Sequence, residues 1–296
     1  MKYMIFSDLH SNLPALETVM RAAPKKNFDK VVCLGDVVGY NPYPNECLER
    51  VNSYADAFVP GNHDIAVYNI FCRSHGKQSS AIYTDFEFNS KALLAARWNA
   101  EQLTKKSFGI LERIARQDYA LKEDGMIFAH STPVNPERMN YVEDKGALFD
   151  FLNHPELDSS VAFVGHVHIP QIYTAIGKGD ARWETSGKQP CFLKATDKIF
   201  EMEKNHPELY VRQKEIDCAI IKKIDLSRCD MALVVVPSIG QPRDGLEYTG
   251  YATYDSETKK ACFVRIPYPM QGLLDKIKDS VETGLPDYRN RMKQGI

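Results

Sequence analysis

The residues best equipped for chemistry stand at Gly61-Asn62-His63-Asp64, directly after the apolar run Ala57-Phe58-Val59. An amide oxygen is a neutral ligand, an imidazole carries a proton, and a carboxylate beside it can hold the ring in one tautomer. The glycine before them permits a sharp backbone bend. A polar turn has the same composition, so the tetrapeptide alone decides little. Four further apolar runs end in residues of the same type: Ile5-Phe6-Ser7-Asp8-Leu9-His10, Val31-Val32-Cys33-Leu34-Gly35-Asp36, Met126-Ile127-Phe128-Ala129-His130 and Val161-Ala162-Phe163-Val164-Gly165-His166-Val167-His168. Such an ordered set of strands ending in Asp, His or Asn points to a metal cluster with oxygen and imidazole ligands and no thiolate. That donor set suits Mn, Fe, Zn, Ni or Co.

The elements that must position these groups read as alternating strands and helices. Lys2–Phe6 is a strand, and Leu13–Ala23 a helix with Leu13, Leu16, Val19 and Met20 on one face, Asn12 as its cap and Pro14 near its start. Strand Lys30–Leu34, a helix over about Asn45–Ser53 and strand Ala57–Val59 follow. This alternation predicts parallel strands with right-handed crossovers, and functional side chains at their carboxyl ends. Asp8 and His10 lie two apart, as do His166 and His168, so in extended backbone each pair projects to one side. The pattern weakens over Ile65–Ser90, where 73–80 reads as an exposed loop. Asn89–Gln117 reads as two helices broken near Ser107–Gly109. Ser131–Asn140 is a Pro-rich loop suited to border a pocket, and a short helix near Gly146–Leu152 precedes the strand to His168. Ala232–Pro237, Tyr248–Asp255 and Lys260–Ile266 read as antiparallel strands.

Composition narrows the classes. With 296 residues and 44% hydrophobic content, the chain can fill one large α/β core or two smaller ones. The net charge of −2, without a long Lys/Arg run or an aromatic-rich stacking platform, disfavours nucleic acid. The longest apolar stretch, near Met231–Val236, is too short to span a bilayer, so no membrane is expected. Seven cysteines show no C-x-x-C pair, and Cys33 and Cys262 fall in apolar strand patterns as buried thiols. A cleaved signal peptide of ordinary length would remove Asp8 and His10. The expectation is a reduced, cytoplasmic protein.

The five blocks, read as D-x-H, G-D, G-N-H-D, H and G-H-x-H, resemble the calcineurin-like metallophosphoesterase family. Ser238-Ile239-Gly240-Gln241-Pro242-Arg243-Asp244-Gly245 and Tyr251-Ala252-Thr253-Tyr254-Asp255 resemble the closing hairpin of a small bacterial and archaeal phosphodiesterase-like branch. Ala92, Ala96, Trp98 and Leu103 resemble that branch's helical insert after the G-N-H-D block, and the tail around Gly284-Leu285-Pro286 its C-terminal helices. Ser11 departs from the pattern, since the branch more often has Gly after the first His.

The resemblance implies an α/β fold, a four-layer α/β/β/α sandwich with two central mixed sheets. It implies one metallophosphoesterase domain over 1–296, with a helical insert about 65–117 and an extra segment about 177–230. Asp8, His10 and His168 would hold one metal and Asn62, His130 and His166 the other, with Asp36 bridging; the pair would be divalent or mixed-valence. Two divalent ions against two aspartates leave a net charge of about +2, which favours a bridging hydroxide and an anionic phosphate. The implied reaction is hydrolysis of a phosphate mono- or diester by that hydroxide. His63 would donate the proton to the leaving group, Asp64 would orient its ring, and Arg243 would clamp a phosphate oxygen. Asp64 as a turn-stabilising acid, and Arg243 as a residue fixing its own turn, are the alternatives. The partner would be a small phosphorylated substrate, with a nucleotide among the candidates; a homo-oligomer stays open. A non-catalytic metal-binding scaffold and a nuclease of the superfamily are the rival functions. His75, His154 and His206 match no block. The 177–230 segment contains a candidate strand at Ala219–Ile224 and apolar anchors at Trp183, Phe192, Phe200 and Tyr210. It begins soon after His168 and ends one strand before Arg243, so its ends are expected by the metal face, where it would wall one side of the pocket.

Overall fold

A computed structural model describes the chain except residues 80–87, 143–145, 155–156, 158, 176–209, 214–215, 228, 282–283 and 295–296. In chain order its elements are β1 (Lys2–Phe6), α1 (Leu13–Ala22), β2 (Lys30–Cys33), α2 (Pro44–Tyr54), β3 (Ala57–Phe58), α3 (Asn62–Ser74), α4 (Ser90–Gln102), α5 (Lys105–Ala115), β4 (Ala120–Glu123), β5 (Met126–Ala129), α6 (Gly146–Asn153), β6 (Val161–Val164), β7 (Gln171–Ala175), β8 (Tyr210–Gln213), β9 (Ile216–Asp225), β10 (Met231–Val235), β11 (Tyr248–Asp255), β12 (Lys260–Pro267), α7 (Met270–Val281) and α8 (Arg289–Gln294). One sheet has the order β3-β2-β1-β11-β12-β9-β8 and the other β4-β5-β6-β10-β7. Both are mixed. β1, β2 and β3 are parallel, as are β5, β6 and β10, while β11, β4 and β7 run against their neighbours.

The layers follow from strand parity. On β1, Met4 and Phe6 face α1–α5 and α7, whereas Tyr3 and Ile5 face the second sheet. On β5, β6 and β10, Phe128, Phe163 and Val234 face the first sheet, whereas Ile127, Ala162 and Leu233 face Phe151 of α6. A strand buried on both faces needs apolar residues at every position, which explains the unbroken runs in the sequence. Three apolar interlayers separate four layers, the expected α/β/β/α sandwich. Phe128 and Phe163 stack at 5.6 Å in the middle interlayer. Burying a side chain of that size contributes about 2–3 kcal/mol.

Several local expectations change. Asn62, His63 and Asp64 open a helix, α3, where the sequence suggested a turn and then a weak pattern. The helix is buried along most of its length, including its polar first turn, so it lacks the one-sided stripe that marks a surface helix. The break between α4 and α5 falls at Leu103–Thr104, where the Thr104 hydroxyl caps the Ser107 amide at 3.1 Å; Ser107 and Gly109 are inside α5. β10 is parallel to β6, not purely antiparallel.

The 177–230 segment differs most. Ala219–Ile224 does form a strand, within β9, which extends the first sheet beside β12. Trp183, Phe192, Phe200 and His206 lie outside the described residues, as does the Tyr210 side chain. The described residues that flank the segment are not at the metal face. Ala175 pairs with Met231 at the start of β10, and Asp225 with Lys260, whereas the site lies beyond Val235. One strand separates Met231 from Val235, and a strand crosses the whole sheet.

Cys33, Cys47 and Cys72 are buried thiols, and Cys229 and Cys262 are half-buried. Among the described residues, no helix is long and apolar enough to cross a membrane.

Candidate functional site

The loops that follow β1, β2, β3, β5 and β6 converge where the two sheets meet. Their backbones leave strand geometry abruptly. Asp8, His10, Asp36, His166 and His168 have φ of 55°, 47°, 51°, 67° and 65°, in the left-handed region. The pairs Asp8/His10 and His166/His168 are therefore not extended, as their spacing suggested. Each residue sits in a strained turn held by its surroundings. The His166 amide reaches both Asp8 oxygens at 3.1 Å, and the His10 amide donates to the Asp36 carbonyl at 2.9 Å. Gly61 also has a different reason from the one its sequence suggests. Its φ is −93°, open to any residue, but a Cβ there would lie 2.1 Å from Asp36 Oδ1. Glycine is required by close approach, so that Asp36 can reach the first turn of α3 and accept from the His63 amide at 2.8 Å.

Asp8, His10, Asp36, Asn62, His63, His130, His166 and His168 are brought into one buried cluster. Three groups of donor atoms each lie within 4.8 Å: Asp8, His10 and His168; Asp36, His130 and His166; and, sharing members with both, His10, Asp36 and His63. His168 Nε2 lies 3.4 Å from Asp8 Oδ1 and 3.1 Å from His10 Nε2. His130 Nε2 lies 3.2 Å from Asn62 Oδ1 and 3.1 Å from His166 Nδ1. Asp36 Oδ2 stands between the groups, 3.6 Å from His10 Nε2 and 3.4 Å from His130 Nε2.

The donor set fits metal ions. Nδ1 of His10, His130 and His168 lies 3.3, 2.7 and 2.6 Å from the carbonyls of Val38, Leu34 and Gln241. A proton on each Nδ1 satisfies those carbonyls and leaves Nε2 aimed inward. His10 and His168 then present two lone pairs to each other, a repulsion that a cation between them turns into coordination. His166 Nε2 is buried with no hydrogen-bond partner. Burial lowers His166 to about 3 and His63 to about 4, and holds His10 and His168 well below the usual imidazole range. Burial also lifts Asp8 to about 6. Against its burial, Asp36 is held well below the carboxylate range by His130 and His63. His130 is the counterpart. Burial opposes its charge, but Asp36 and Asp8 outweigh it and lift it to about 9, so it carries a proton that a bound metal would displace.

Asp64 does not touch the His63 ring. Its carboxylate accepts from the amides of Val37 at 2.9 Å, Val38 at 3.2 Å and Gly61 at 3.1 Å. These bonds pin the loop after β2 to the start of α3, the turn-stabilising alternative, and His63 Nδ1 is left buried without a partner. Arg243 is half-buried, and its charge further lowers His10, His63, His166 and His168. Its Nη2 donates to Gln241 Oε1 at 3.0 Å, a contact within its own turn, while Nε has no partner. His75 stacks on Phe71 at the end of α3, away from the cluster.

Two supporting contacts escaped the sequence, and a third feature, a cavity along the Ser131–Asn140 loop, lies where a pocket was expected. Arg265, 1% exposed, donates to both Asp244 oxygens at 2.5 and 3.0 Å and anchors the Arg243 loop. The signal was available, since Arg265 shares strand parity with the core residues Ala261 and Phe263. Ser11 has φ of 58°, which explains why a glycine suits that position, but its hydroxyl donates to Asn99 Oδ1 of α4 at 2.7 Å. Tyr141 stacks on His166 at 4.0 Å and borders a cavity of 420 Å³ formed with Asn135, Arg138, Asn140 and Asp150.

A family model for calcineurin-like phosphoesterases matches residues 1–182. The chain is 28% identical over 286 residues to an uncharacterized protein of Methanocaldococcus jannaschii, covering 96% of this chain and 93% of that one. The crystal structure of a metallophosphoesterase from Sphaerobacter thermophilus superposes with a TM-score of 0.69 at 26% identity, covering 100% of this chain and 99% of the other. A hypothetical protein of Pyrococcus horikoshii shares the fold, with a TM-score of 0.62 at 16% identity over 99% of this chain and 98% of that one. The model match spans the five blocks and more than half the chain, and this protein therefore belongs to the calcineurin-like phosphoesterase family.

Proposed function

We propose that the chain hydrolyses phosphate mono- or diesters of small molecules, nucleotides among the candidates, at a centre for two transition-metal ions. Asp8, His10 and His168 would hold one ion, Asn62, His130 and His166 the other, and Asp36 both. The observation that carries this reading is Asp36 Oδ2, within 3.6 Å of His10 Nε2 and 3.4 Å of His130 Nε2, one from each group. When bound, such a pair supplies Lewis-acid activation of the phosphoryl group and of water. The chain's own groups supply the rest. Arg243 would bind a phosphate oxygen, a role supported by its unpaired Nε and by the Gln241 contact that fixes Nη2. His63 donates a proton to the departing oxygen. A phosphate anion beside it opposes the burial that holds it at about 4 and raises it toward a working range. The organic part of the substrate would lie in the cavity beside Tyr141.

A scaffold that only binds metal gains nothing from His63 as a proton donor; His63 lies within 4.8 Å of the His10 and Asp36 donor atoms but is assigned to neither ligand set in this reading. A single domain over 1–296 is supported by β10, β11 and β12, which complete sheets begun by the first 175 residues. His63→Ala tests the reading. It should retain both metals by elemental analysis and lose roughly 10²–10⁴-fold in kcat on an alkyl phosphate, with a much smaller loss on p-nitrophenyl phosphate. Equal losses on both substrates would remove the donor role, and loss of the metals would overturn the ligand sets.

A further inference from the structure

We propose that Tyr40, backed by Tyr288 of the C-terminal segment, is the positioning residue that sets the ring plane of His63. The inference rests on His63 as the proton donor. In place of an acid, His63 has aromatic neighbours. Its ring centroid lies 4.6 Å from Tyr40, 4.7 Å from His10 at 78° and 4.9 Å from Phe88 at 89°. The Tyr40 ring is tilted at 45° to His63 and the other two meet it edge-on; tilted and edge-to-face contacts at these distances are attractive and directional, and they restrain rotation about the ring's attachment. They also leave Nδ1 buried without a hydrogen-bond partner among the described residues, which suits a group whose proton must stay mobile.

The approach of Tyr40 depends on the residue before it. Gly39 has φ of +118°, and a Cβ there would lie 2.6 Å from His63 Nδ1 and 3.0 Å from His10 Nδ1. Only glycine lets the loop pass this close to both imidazoles. Tyr40 is 4% exposed and meets Tyr288 edge-on at 4.9 Å on its other side. Tyr288 is itself fixed, 1% exposed, with its hydroxyl donating to the Lys91 carbonyl of α4 at 2.8 Å. Leu285 and Met292, each 1% exposed, seat the same segment in the core. A contiguous stack therefore runs from α4 through Tyr288 and Tyr40 to His63, and the chain's end buttresses its beginning.

The test uses the full-length, zinc-loaded protein with the variants Tyr40→Leu, Tyr40→Phe and Tyr288→Leu. Tyr40→Leu should lower kcat on an alkyl phosphate roughly tenfold, with KM and metal content retained and p-nitrophenyl phosphate turnover much less affected. Tyr288→Leu should give the same selective loss, a few-fold in size, and Tyr40→Phe should restore wild-type behaviour. The His63 ring signal in NMR, assigned by its disappearance in His63→Gln, should broaden or split in both leucine variants and stay single in Tyr40→Phe. An unchanged ring signal, or equal losses on both substrates, overturns the inference. The kinetics of His63→Ala separate the two failures. If that variant loses selectively and Tyr40→Leu does not, the buttress is wrong. If His63→Ala itself shows no selectivity, the donor reading fails, and the ring signal alone judges the positioning.

Discussion

The interlayer between the sheets and the site at its end are equally buried and chemically opposite. Tyr3, Ile5, Phe128 and Phe163 are 0% exposed, and so are Asp8, His10 and Asp64. The first set sits on extended backbone and is held by apolar packing, its one polar atom, the Tyr3 hydroxyl, being paired with Asp124. The second carries carboxylates and imidazoles, with Asp8 and His10 on left-handed backbone and Asp64 in the first turn of α3, and around them His63 Nδ1, His166 Nε2 and Arg243 Nε are buried and unpaired. Unpaired buried polar atoms and left-handed non-glycine residues each cost on the order of 1–3 kcal/mol. The difference teaches that the interlayer stabilises the sandwich and the site draws on that stability. Strain of this kind persists only where rigid strands on both sides hold it.

The sharpest break in that comparison is Asp36→Asn. It removes the charge shared by both ligand groups, and elemental analysis should find metal occupancy largely lost while circular dichroism reports a folded chain. Phe163→Ala should do the reverse. Urea unfolding should show a loss of about 3–5 kcal/mol, with metal per folded chain unchanged. Asp244→Ala tests the boundary between the regions, because it strands the buried Arg265 guanidinium. A cost of about 3–5 kcal/mol is expected, together with a raised KM from the released Arg243 loop. A stability loss without a change in KM would mean that Arg243 is held by other contacts.

Two smaller substitutions sharpen the contrast. Tyr3→Phe removes a hydroxyl that donates to Asp124 Oδ2 at 2.7 Å, at the end of the sandwich remote from the site. It should cost about 1 kcal/mol in urea unfolding and leave turnover unchanged. Ser11→Gly relieves a left-handed residue but breaks its bond to Asn99. The terms oppose, so the net change should stay within about 1 kcal/mol. A large loss would show that the link between Ser11 and α4 matters more than the backbone strain.

The sequence by itself determined the donor chemistry and its order along the chain. Asp8, His10, Asp36, Asn62, His63, His130, His166 and His168 could be named because strand, turn and ligand succeed one another within a few residues. The doubly buried strands were legible for the same reason, since apolar runs between turn signals depend on local periodicity alone. The C-terminal strands could be found but not oriented, because β10 acquires its parallel partner from residues some seventy positions earlier. Only tertiary structure decided that Asn62 begins a helix, since a helix buried along most of its length, polar first turn included, shows no clear stripe. Only tertiary structure placed the carboxylate of Asp64 on three backbone amides, and put Ala175 and Met231, which flank the 177–230 segment, away from the site. A residue's type limits which bonds it can make; which bond it does make depends on the groups the fold brings within about 3 Å, the reach of a hydrogen bond. At this site most of those groups come from distant parts of the chain, and local pattern carries no information about them.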